Sequence, residues 1–263
     1  MNIKDIRLSG LKFIKEKPVK ILVVCSSKGG VGKSTVTFIL ASLLSEKFRV
    51  GVYDFDFTNP SLSTLFNSRL SFHEDYGIVP PEIFKNIFFL SLDSFLDYNY
   101  IALRRESVTN IILELLTITN WPEIDYLLID TPPTITDTLL DIIKFLPNAN
   151  YIVVSYFSLL SLSSVQRLIN VINNSKKEIL GVIINEVQKN QKNKFNLRQD
   201  ILKNFNLKNF NLKNFNLKNF KNIIFLPYIK NIEKFYGKIE RIRKLPILKD
   251  FKINLDKYIL NSS

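Results

Sequence analysis

The feature that most limits what this chain can fold into is the run VKILVVC at Val19–Cys25, which is apolar, rich in β-branched residues and followed at once by the glycine-rich stretch SSKGGVG. A short run with no polar alternation suits a strand buried on both faces. The glycines give way to a helical pattern over Ser34–Lys47. A strand that enters a glycine turn and leaves as a helix opens a β–α–β unit, and such units build parallel sheets.

The pattern recurs. RVGVYDF (49–55), NIFFLSL (86–92), YLLID (126–130), Tyr151–Ser155, Ile179–Asn185 and NIIFLPYI (222–229) read as further buried strands, and Ser107–Thr119, Thr136–Leu146 and Ser161–Asn174 have helical length and period. The expected fold class is α/β, a mostly parallel twisted sheet with helices on both faces in three layers. A chain of 263 residues, 46% hydrophobic with only 8 Gly and 10 Pro, fits one packed domain and excludes a disordered chain. That domain is expected over 19–263. Residues 3–16 alternate charge with Ile and Leu at helical spacing, so 1–18 reads as an amphipathic helix or arm.

Within the domain, FNLKN repeats in tandem at 205–209, 210–214 and 215–219, with FNLRQ at 195–199 as a looser copy. A five-residue step turns about 500° around a helix, so the phenylalanines line no helical face. An odd step fails for a strand as well. The low-complexity segment at 195–221 therefore reads as an exposed insert, the alternative being a basic-aromatic arm that stacks on single-stranded nucleic acid.

The formal charge is +12, with Lys230, Lys234, Lys238, Arg241, Arg243, Lys244, Lys249, Lys252 and Lys257 concentrated near the C-terminus. This is either a solvated helical face in a Lys- and Asn-rich composition or a patch for non-specific DNA. The single cysteine, Cys25, reads as a small buried hydrophobe and by itself holds neither zinc nor an iron–sulfur cluster. His73 has no triad partner in evidence, and Trp121 reads as a packing residue. No stretch approaches the roughly 18 to 20 apolar residues of a membrane span, the start MNIKDIRLSG is no secretory signal, and LDKYILNSS is too short for an amphipathic anchor. A cytoplasmic protein is expected.

The chemistry concentrates in the loop. CSSKGGVGKST fits the phosphate-loop pattern at Gly32, Lys33 and Ser34, with Ser27 where the first glycine usually stands. The backbone from Gly29 through Gly30, Val31 and Gly32 can turn successive amides toward an anion, and the helix behind adds its positive end. Lys33 can neutralise β and γ phosphates, the Ser34 hydroxyl can ligate Mg²⁺, and Thr35 can donate to the α phosphate. Asp130 closes the strand YLLID, where a carboxylate can hold a magnesium-bound water; a buried capping Asp is the alternative.

KGGVGKST resembles the deviant Walker A loop of the MinD/ParA/Mrp family of ATPases, in which an additional lysine precedes the glycine pair. The resemblance implies that Lys28 reaches across an ATP-state homodimer to the partner's phosphates. YDFDFTNPS (53–61) is similar to the family's D-x-D switch segment, its Pro60-Ser61 to the Mrp branch, and Asp130-Thr131-Pro132-Pro133 to its Walker B and second switch. By that resemblance Asp56 orients the attacking water and Asp54 supports Mg²⁺, the alternative for both being turn-capping aspartates. Asn185 matches a position where the family reads adenine, and Pro227 a residue flanking the base; either could instead terminate a strand. The Mrp-type scaffold proteins use a downstream C-x-x-C, and no cysteine follows Cys25.

The loop chemistry implies ATP or ADP with Mg²⁺, and the resemblance implies an ATPase acting as an ATP-controlled dimerisation switch, expected in DNA partitioning or in positioning a cargo, with a protein activator. The alternatives are a Mrp-like carrier or assembly factor without the iron–sulfur cysteines, and a nucleotide-binding module with little hydrolysis.

Overall fold

The computed structural model describes residues 19–56, 59–68, 73–74, 77–91, 105–156, 158–188 and 222–260. The expected arm at 1–18 and the repeat at 195–221 lie outside them.

The strands are β1 (Lys20–Ser26), β2 (Val50–Asp54), β3 (His73–Glu74), β4 (Ile78–Val79), β5 (Glu82–Phe84), β6 (Ile87–Ser91), β7 (Tyr126–Asp130), β8 (Asn150–Tyr156), β9 (Glu178–Val187) and β10 (Ile223–Pro227). The helices are α1 (Lys33–Leu44), α2 (Leu62–Phe66), α3 (Arg105–Ile118), α4 (Asp137–Phe145), α5 (Leu159–Asn174), α6 (Ile239–Arg243) and α7 (Lys249–Leu255). Eight strands form one sheet in the order β10-β9-β8-β1-β7-β2-β6-β5, parallel throughout except where β5 turns back along β6. β3 and β4 make a separate two-stranded ribbon.

Both faces are covered, which is why the strand sequences do not alternate. Along β1, Ile21, Val23 and Cys25 enter one core with α3, α4 and α5 residues such as Leu116, Ile142 and Leu168. Leu22 and Val24 enter the other with α1, Phe66, Phe89 and the C-terminal Ile242 and Phe251. Each large aliphatic or aromatic side chain buried this way stabilises the fold by about 1.5–3 kcal/mol. Trp121 packs as expected, edge-on to Tyr53 at 5.4 Å. Its ring lies so near β2 that a Cβ at Gly51 would fall 2.8 Å from it.

Topology places the site. The chain leaves β1 through α1 and returns as β2, but β7 is inserted between them, so in the registers Val24 pairs with Asp130 and Asp130 with Asp54. The carboxyl ends of β1, β2 and β7 therefore open at one level beside the glycine loop. The basic C-terminal segment is helical, as expected, but broken: a 3-10 turn Ile232–Phe235, α6, a second at Pro246–Leu248, α7 and a π turn Asp256–Leu260. Gly237, at φ 66°, and Pro246 supply the interruptions. Among the described residues no helix is long and apolar enough to cross a membrane.

Candidate nucleotide site

The loop between β1 and α1 is held from behind. The Ser26 hydroxyl donates to the Lys28 carbonyl at 2.9 Å, and the Thr134 amide donates to the Ser26 carbonyl at 3.0 Å. Gly30 and Gly32 both sit at φ 75°, a left-handed conformation that other residues rarely adopt. Gly32 is the N-cap of α1, so no side chain covers the first amides of the helix, and its first turn contains no acid. That end is open to an anion. Lys28 is half-buried, and among the described residues its ammonium has no partner.

Behind the loop, three donors converge on Asp130, which is fully buried. Lys33 Nζ lies 2.7 Å and Ser34 Oγ 2.6 Å from Oδ2, and Thr37 Oγ1 lies 2.8 Å from Oδ1. Asp54, one strand away, accepts from the Asp56 amide at 3.0 Å and the Leu62 amide at 3.3 Å. Burial first, and then the neighbouring Asp130 charge, push its carboxyl up to about 8, against the pull of those amides and of Lys33. Asp56 is buried too, and its Oδ1 accepts from the Asn59 amide at 3.2 Å.

Two crowded carboxylates and a hydroxyl are hard oxygen donors whose repulsion a divalent cation would relieve, so this chemistry fits Mg²⁺. Among the described residues no group of three or more His, Cys, Asp or Glu could hold a metal alone. The cation would thus share its coordination with phosphate oxygens and water, as magnesium usually does.

A cleft of about 240 Å³ opens beside the loop, lined by Thr35, Asn185, Pro227, Tyr228, Ile232 and Glu233 among others. Asn185, the position matched to adenine reading, and Pro227, the one matched to a base-flanking residue, therefore line the same cleft. Asn185 also does something its sequence position does not announce: its Nδ2 donates to the Val31 carbonyl at 3.0 Å and would lie 2.3 Å from a Cβ on Gly32. It is a strut between β9 and the phosphate loop. Sequence reasoning missed Thr37, Tyr228, Ile232 and Glu233. The only available signal for Thr37 was its place one helical turn after Lys33, on the same face.

The loop and its carboxylates sit within a segment, 17–233, that matches the sequence model of the family described as ParA, NUBPL iron-transfer P-loop NTPase. The chain belongs to the ParA/NUBPL family of P-loop NTPases. It is thus a nucleotide-binding protein with the MinD/ParA fold. Among relatives, the iron–sulfur cluster carrier protein of Rickettsia prowazekii (strain Madrid E) is 35% identical over 178 residues, 67% of this chain and 56% of that one. The match spans little more than half the length of such curated relatives. Among solved structures, a nucleotide-binding protein in complex with ADP from Archaeoglobus fulgidus superimposes with TM-score 0.67 at 24% identity, over 90% of this chain and 93% of its own. The MinD cell division protein of Aquifex aeolicus gives 0.60 at 18%, over 93% and 98%. At these identities both are similar in fold.

Proposed function

We propose that this ParA/NUBPL-family chain is an ATP hydrolase that works as an ATP-controlled dimerisation switch in iron–sulfur cluster carriage or assembly. The observation that carries the reading is the buried Lys33–Asp130 ion pair, joined by the half-buried Ser34 hydroxyl, under an open glycine loop. The amides of Gly29 to Thr35 would bind the phosphates, Lys33 would neutralise them, and Asn185 with Pro227 would flank the base. Ser34, Asp54 and Asp130 would hold Mg²⁺, directly or through its waters. When bound, that ion would neutralise charge on the phosphoryl oxygens. Asp56 would orient the attacking water, and Lys28 would reach the phosphates of a partner subunit. Catalysis would come from positioning and charge neutralisation.

The family description and the named role of the Rickettsia relative favour cluster carriage or assembly over the DNA partitioning or cargo positioning expected from the resemblance and the basic C-terminal region. The cluster is cargo, and this chain's own thiol does not fit it. Cys25 is buried in β1, its Sγ is 3.7 Å from the Ile152 carbonyl oxygen, and burial pushes its thiol up to about 12. Thiolate is the ligand form, and a cluster needs several. Within these 263 residues there is no second thiol to complete such a set.

The test is ATP turnover and oligomeric state of the full chain with Mg²⁺, alone, with a cluster-loaded thiol protein plus its apo acceptor, and with duplex DNA. Expected are an ATP-dependent dimer, no cluster retained by the chain itself, and cluster transfer that depends on ATP. Transfer indifferent to ATP, combined with a salt-steep, ATP-dependent shift of duplex DNA, would restore the partitioning role.

A further inference from the structure

Resting on the nucleotide reading above, we infer that Thr37 is a positioning residue that sets the orientation of the Asp130 carboxylate for the magnesium-bound nucleotide. Thr37 is fully buried on α1, one turn beyond Lys33. A threonine inside a helix commonly donates back to the carbonyl four residues earlier. Here the Lys33 carbonyl is 3.2 Å from Thr37 Oγ1, while Asp130 Oδ1 is nearer, at 2.8 Å, on a different element. A hydroxyl has one proton, and the charged acceptor at the shorter distance takes it.

The three donors to Asp130 differ in what else they do. Lys33 and Ser34 are the groups that would turn to phosphate and cation when nucleotide binds. Thr37 is fully buried, and its hydroxyl reaches only the Lys33 carbonyl and Asp130. It is the donor that stays. Asp130 also lies beside Asp54 in the sheet register, so a carboxylate free to rotate would meet a second acid rather than water. Fixing Oδ1 with a neutral hydroxyl leaves Oδ2 aimed at Ser34 and the loop.

The experiment is calorimetric ADP binding to the full chain, with Mg²⁺ and with EDTA, for wild type, Thr37→Val, Thr37→Ser and Thr37→Ala. The expected result is a magnesium-dependent gain in affinity that falls about tenfold in Thr37→Val and survives in Thr37→Ser, while binding in EDTA is unchanged. Should the valine variant not fold, the serine and alanine variants differ by the hydroxyl alone, and equal gains in those two overturn the proposal. A gain in Thr37→Val equal to wild type overturns it, as does a loss of the same size in EDTA, which marks a purely structural role. A wild-type chain that binds ADP equally well with and without magnesium overturns this proposal alone, whereas one that binds no ADP in either buffer overturns the nucleotide reading itself.

Discussion

A lysine–carboxylate ion pair of almost the same length stands by each end of α1. At its mouth, Lys33 and Asp130 are 2.7 Å apart with side chains 6% and 0% exposed. Just past its far end, Lys252 and Glu46 are 2.8 Å apart but 29% and 34% exposed. Contact distance says nothing about what separates them; water does. Desolvating both members of the first pair costs several kcal/mol each, which mutual attraction offsets only with excellent geometry and extra donors, here Ser34 and Thr37. An apolar pair of the same volume would serve stability as well, so function is the better reason for burying charge there. The second pair keeps its hydration and contributes little.

The largest expected effect is therefore at the mouth. Lys33→Ala leaves Asp130 buried without a cation and should lower unfolding stability by about 3–5 kcal/mol while removing nucleotide binding. Denaturant unfolding measures the first, and a loss below about 1 kcal/mol would show that Ser34 and Thr37 suffice.

Asp54→Asn probes the same crevice through pH. Because the folded carboxyl is held near 8, far above its usual 3.8, the folded protein keeps this proton after the unfolded chain has lost it. Asp54 therefore makes stability fall as pH rises across that window. The asparagine variant, free of nucleotide, should match wild type at about pH 4 and exceed it at about pH 9, with the difference growing between the two. Urea unfolding at both pH values decides, and a constant difference removes the coupling.

Gly32→Ala should cost about 1–2 kcal/mol from its left-handed backbone. It should also weaken nucleotide binding, since the new Cβ would lie 2.3 Å from Asn185 Nδ2 and displace the strut. Calorimetry with ADP reads the second effect, which a purely local strain would leave untouched.

Smallest of all, Lys252→Ala should change stability by less than about 1 kcal/mol, and by less still in high salt. A larger loss would assign weight to the second bond of Lys252, its 2.6 Å donation to the Arg243 carbonyl. Arg243 itself donates to the Ser42 carbonyl and the Ser45 hydroxyl, so part of the C-terminal charge ties the chain end to α1. Lys230, Lys234, Lys244 and Lys249 are exposed.

The strands and their order of appearance were legible because burial on both faces leaves continuous apolar runs, as in KILVVCS and YLLID. The three-residue β5 was not, since so short a segment has no period to detect. The interrupted helices after residue 230 were legible as helical but not as fragments, because Gly237 and Pro246 act where local packing lets them. In the site, the loop residues and Asp130 could be named from their places at the end of a strand and the start of a helix. Thr37 could not, because a threonine in a helix interior looks the same whether it bonds to its own helix or to a neighbouring strand.

The sequence by itself determined the β–loop–α unit, the glycines that permit its turn, and which side chains stand at strand ends, since these follow from local sterics and hydrophobic period. Only the tertiary structure decided that β7 lies between β1 and β2, and so that Asp54 and Asp130 share one crevice. It likewise decided that Asn185, 154 positions from Val31, braces the loop. Such pairings depend on how strands are ordered across the sheet, and strand order is set by the packing of helices on its faces rather than by any one segment's preferences.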